Sequence, residues 1–166
     1  MKRGAGDALK GQAQTFVAAA TAAASWFRRP APSALSAART ARLRALSWKD
    51  NPALREAVEQ SAQSVAEAAR WGVEPDPELT KAADAVREAA KALACAASAK
   101  GPERADFLVS AKRWAFEAER LRRGIRETAH EDPSLAAGLK RETVALRLSN
   151  AAEAAHQACD ALAGDP

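Results

Sequence analysis

Residues 107–125 read FLVSAKRWAFEAERLRRGI, and their spacing decides the fold class. Phe107, Ala111, Trp114, Ala118, Leu121 and Ile125 recur in steps of 4-3-4-3-4. Such steps keep side chains on one face of a helix, whereas a half-buried strand needs strict alternation. The rhythm continues on both sides. Upstream, Leu54, Val58, Ser61 and Val65 keep it. Leu79, Val86 and Leu93 recur every seven residues, with Ala83, Ala90 and Ala97 on the same face. Downstream, Leu148, Ala152, Ala155, Cys159 and Leu162 repeat it. A stripe of this kind belongs to a helix of an antiparallel bundle.

Punctuation cuts the chain into pieces. Asn51-Pro52, Asp76-Pro77 and Asp132-Pro133 each place an N-cap residue before a Pro suited to the first helical position. Gly101-Pro102 closes one helix and opens the next, and Gly72 and Gly164 mark two further stops. Arg29-Pro30-Ala31-Pro32 separates the first two pieces, with Ser33 as a cap. Six helices are expected near residues 7–28, 33–48, 52–71, 77–100, 103–129 and 133–163.

Composition agrees. The 166 residues include 46 Ala and 14 Leu but 7 Val, 1 Ile and no Tyr, which excludes a strand-rich fold. Small Ala on the seams predicts closely approaching helix axes and a core that buries little apolar area per residue. Residues 82–94 and 151–163 share seven of thirteen positions, all Ala or Leu, which reads as compositional bias rather than a repeat.

Charge is uneven. Residues 1–49 carry nine Lys/Arg and one acid, a net of +8, while residues 50–166 carry a net of −4. The expected organisation is a basic, Ala-rich helical arm, 1–49, packed on a bundle body, 50–166, within one domain. Arg28, Arg29, Arg39, Arg42 and Arg44 are the candidate anion- or partner-binding residues, since Arg39 and Arg42 are neighbours at i, i+3 on a helix. Nucleic acid, an anionic membrane or an acidic protein surface suits such an arm, and so does its own acidic body. Trp26, Phe27 and Trp48 flank the arginines and are read as sealing the first helices onto the bundle, with base stacking as the alternative.

The residues that usually build reactive sites are few. Cys95 and Cys159 lie outside any Cys-x-x-Cys pair and are expected as small core hydrophobes, or as a disulfide if their Cβ atoms face each other. The sequence holds no phosphate loop and no Gly-x-Ser-x-Gly or His-Glu-x-x-His motif. Glu153-x-x-His156 stands alone, and Asp84/Glu88 and Glu127/Glu131 read as exposed helical charges. His130 suits the C-terminal end of the fifth helix. Arg120, Arg122, Arg123 and Arg126 pair naturally with Glu117, Glu119 and Glu127. No enzyme, cofactor or metal is expected, with a small helical enzyme using Glu153/His156 or His130 as a further alternative. The apolar run 16–27 is too short to span a bilayer. A cytoplasmic location follows, with a secretory or membrane-surface role for that run as the alternative.

From residue 50 the order DNPALREAVEQSAQSVAEAAR, ELTKAADAVREAAKALACAAS, FLVSAKRWAFEAERLRRGIRE and DPSLAAGLKRETVALRLSNAAEAAHQACDAL resembles the PhoU-like regulators of phosphate uptake. It is most similar to the shorter branch that accompanies Pit-type phosphate transporters. The resemblance implies two three-helix bundles side by side and a regulatory or adaptor role. It also implies a protein partner, such as the cytoplasmic face of a membrane transporter, while the bundle pattern itself leads to the expectation of self-association into a homo-oligomer through Ala and aromatic faces. The family binds metal clusters through Glu/Asp-x-x-x-Asp pairs. At the aligned positions this chain has Glu59 with Gln63, Ala115 with Glu119, and Ser149 with Glu153, so each pair lacks one carboxylate. In the second helix the place reads Arg39-Thr-Ala-Arg42. The resemblance therefore implies a family member without intact metal motifs.

Overall fold

The computed structural model describes residues 3–164, all helices and connections. In order these are α1 (Arg3–Arg28), α2 (Pro32–Leu46), α3 (Pro52–Trp71), α4 (Pro77–Ser98), α5 (Gly101–Thr128), a single 3-10 turn (Ala129–Glu131) and α6 (Leu135–Ala163). The helices α1, α2 and α3 pack on one another, and so do α4, α5 and α6. The two three-helix groups meet through corresponding members, α1 against α4 and α3 against α6. Short connections reverse the chain each time. Cross-links agree: Lys112, early in α5, reaches Asp160, late in α6, at 2.6 Å, and Arg126 reaches back to Glu142 at 3.5 Å.

Alanine builds the seams. On α2 the buried residues are Ala34, Ala38, Ala41 and Ala45, with no larger side chain among them. The bulky core members come from the other helices: Phe16 and Phe27 on α1, Leu54 on α3, Leu79 and Leu93 on α4, Ile125 on α5 and Leu148 on α6. The helix α1 packs against α2, α3 and α4 and shares one apolar cluster with the rest. Buried Ser61 and Ser64 satisfy their hydroxyls by donating to the Ala57 and Ser61 carbonyls at 2.8 and 2.7 Å.

Several local expectations need correction. Asn51 sits in the left-handed region at φ 55° and caps nothing with its side chain. Its Nδ2 instead donates to Gln12 Oε1 at 2.7 Å, fixing α3 to α1. Pro32, not Ser33, opens α2 behind Ala31. Pro133 lies outside α6, which is capped by Ser134; its Oγ accepts from Ala137 N at 3.4 Å. Asp76 does cap α4, accepting from the Glu78 and Leu79 amides. Trp114 is 39% exposed, and Ala115 takes the core position beside it, because the stripe drifts around a straight helix. Both cysteines are free, and Cys95 is exposed, so only Cys159 is a core residue.

Candidate functional site

The five candidate arginines separate. Arg28 Nη2 donates to Asp84 Oδ2 at 2.9 Å and ties the end of α1 to α4. Arg29 is exposed in the turn that follows. Arg39, Arg42 and Arg44 are exposed on α2 and form no ion pair among the described residues. Around them lie Leu43, 68% exposed, and Leu46, 48% exposed. Phe27 is buried, and Trp26 and Trp48 pack half-buried against the core, in a sealing position.

A second region lies between α5 and α6. Ala115, Phe116, Glu119 and Arg123 face Ser149, Ala152, Glu153 and His156 across a shallow cleft of about 270 Å³. The Ser149 hydroxyl donates to Glu119, while Arg123 Nε and Arg122 Nε lie 3.3 and 3.7 Å from the same carboxylate. Burial pushes the Glu119 carboxyl up. The Ser149 hydrogen bond and the two guanidiniums outweigh it and hold the group below the usual carboxylate range. His156 instead meets Phe116 in a tilted ring contact, centroids 5.3 Å apart and planes at 58°. Glu153 accepts from Gln157 at 3.2 Å. Ser149 and His156 are two turns apart on α6, roughly 10 Å of helix, which is too far for a nucleophile and its base. Asp84 and Glu88 lie elsewhere, on α4, paired with Arg28, Arg87 and Lys91. Among the described residues, no group of three or more His, Cys, Asp or Glu side chains is placed to hold a metal ion.

A cavity of about 900 Å³ opens at one end of the bundle between the α3–α4 connection and the start of α6. Arg141 crosses its wall. Its Nε donates to Asp76, its Nη2 to Glu78 at 2.7 Å and its Nη1 to Thr128 at 3.4 Å. Burial lowers the guanidinium's affinity for its proton, and the Asp76 and Glu78 carboxylates more than restore it. Sequence reading marked Asp76 as a cap but missed Arg141, because sixty-five residues separate the partners. The Thr128 hydroxyl, rather than His130, serves the last carbonyls of α5, those of Gly124 and Ile125.

No family model, curated protein or solved structure matches this chain. No helix of the described residues is long and apolar enough to cross a membrane.

Proposed function

We propose that this chain is a non-enzymatic helical regulatory or adaptor protein of the PhoU-like kind. It acts in the cytoplasm through contacts with a protein partner and with its own copies, without a metal cluster. One observation carries the reading: Ala115, Glu119, Ser149 and Glu153, the positions aligned with two of the family's carboxylate pairs, line a single cleft. Two of the four carry no carboxylate, and Glu119 is engaged by Ser149, Arg122 and Arg123. The packing of two three-helix groups supports the same descent. Exposed Val109 and Phe116 on α5, and Leu139 and Leu146 on α6, each seven residues apart, supply surfaces for self-association.

The test restores what is missing. Thermal unfolding of the native chain with iron, zinc or magnesium is expected to show no shift. The double substitution Ala115→Asp with Ser149→Asp is expected to gain metal-dependent stability of about 2.7 kcal/mol once the ion exceeds its Kd a hundredfold. Tight stoichiometric metal on the native chain, or no gain in the variant, overturns the reading. A nucleic-acid-associated role rests on Arg39, Arg42 and Arg44; it competes with a different anionic partner for the same helix.

A further inference from the structure

The helix α2 turns two of its three leucines outward, while Leu35 packs partly buried against the core. Every buried residue on it is Ala, while Leu43 and Leu46 face solvent at 68% and 48% exposure. Burial of large side chains is the main force that docks helices, so a helix normally turns its leucines inward. Here Leu43 and Leu46 share one outward stripe with Arg39, at i, i+4 and i+7. Arg42 flanks that stripe on one side. Arg44 lies on the other, toward α1, where it lines a shallow groove with Ala18. No acidic residue occurs between Arg29 and Lys49, and Lys49 itself is exposed. Among the described helices only α1 and α3 touch α2, so its outer face is bare.

We infer that the outer face of α2 is a peripheral docking surface for an anionic bilayer, with Leu43 and Leu46 entering the headgroup–acyl boundary and Arg39, Arg42 and Arg44 holding lipid phosphates. Apolar side chains set among cations on one exposed helix face are what an anionic interface takes up. A nucleic-acid backbone would use the arginines and leave both leucines in water. The inference stands on α2 alone and survives or fails independently of the α5–α6 cleft.

Flotation of the full chain with vesicles tests it. Binding is expected to phosphatidylcholine vesicles containing phosphatidylglycerol and not to phosphatidylcholine alone. Each substitution among Arg39→Gln, Arg42→Gln and Arg44→Gln should weaken partitioning roughly fivefold. The pair Leu43→Ser with Leu46→Ser keeps the charge and should weaken it about tenfold or more. All five side chains are exposed, so circular dichroism and the unfolding temperature are expected to stay unchanged. Absence of binding to the anionic vesicles overturns the inference. So does binding insensitive to the leucine pair, or arginine-dependent binding to duplex DNA without vesicle binding.

Discussion

Arg147 on α6 and Glu67 on α3 form a two-pronged ion pair across the junction of the two three-helix groups: Nη2 donates at 2.9 Å, and Nε lies 3.2 Å from both carboxylate oxygens. The Glu67 side chain is 12% exposed and that of Arg147 31%. The Glu67 hydrogen bond holds the guanidinium's proton more firmly than usual. Removing the arginine leaves a largely desolvated carboxylate with Gln63 as its remaining side-chain donor. Arg147→Ala is therefore expected to cost about 2 kcal/mol. Exposed pairs such as Arg120–Glu117 should cost clearly less when broken, since solvent screens them. Urea unfolding midpoints of the two variants compare them directly.

Gly138 and Gly124 make opposite predictions. A methyl group on Gly138 would overlap the Ala129 carbonyl, because the first turns of α6 lie directly on the 3-10 turn. That backbone carbonyl cannot swing aside, so Gly138→Ala should cost about 1–3 kcal/mol. Gly124, inside α5, has open space around the same position. Gly124→Ala should instead stabilise by up to about 1 kcal/mol through helix propensity. Thermal melts of the two variants shifting in the same direction would contradict this account.

How much was legible in the sequence depended on whether the cause was local. The bounds Pro52–Trp71 of α3 match expectation because a proline and a left-handed Gly72 act within a single turn. The six-helix order followed for the same reason. Asn51 shows where such reading stops. Its residue type suits a cap, but Gln12, thirty-nine residues earlier, offers a tertiary hydrogen bond instead. Trp114 illustrates a second cause of error: a 4-3 rhythm fits two adjacent tracks of α5, and contact with neighbouring helices decides between them.

The candidate sites divide likewise. Arg39, Arg42 and Arg44 were visible as a charge cluster, but the leucines between them were not, since hydropathy alone assigns Leu43 and Leu46 to the core. Arg28 looked equivalent to Arg39 in sequence, and only Asp84 on α4 distinguishes it. The Arg141–Asp76 pair had no sequence signature at all, because its partners lie on parallel helices of one three-helix group.

Asp76 carries two duties that substitution can separate. Its carboxylate accepts from the Glu78 and Leu79 amides at 2.7 and 3.2 Å and also meets Arg141. Asn caps a helix about as well as Asp, so Asp76→Asn tests the charge pair with the cap retained. Asp76→Ala removes both and should cost at least about 1 kcal/mol more than Asp76→Asn. For a chain of this size each kcal/mol lowers the unfolding temperature by about 2–4 °C, which differential scanning calorimetry resolves.

The two cysteines predict both reactivity and a pH dependence. Cys95 is exposed on α4, whereas Cys159 is buried on α6. Burial pushes the Cys159 thiol up from its ordinary 9.0 to about 11, against a smaller opposing effect of Lys112. A buried, protonated thiol reacts slowly, so at about pH 8 iodoacetamide should label Cys95 readily and Cys159 only after unfolding. The folded chain keeps the Cys159 proton to about 11, while the unfolded chain releases it near 9.0. The corresponding stability is fully present below pH 9.0 and is lost as the pH rises toward about 11. Lys112, paired with Asp160 at 2.6 Å, titrates in the alkaline range too, so Cys159→Ala supplies the baseline. The native chain should lose more stability than this variant between about pH 8 and pH 10 in urea titrations. Equal losses would show that the Cys159 proton is not linked to folding.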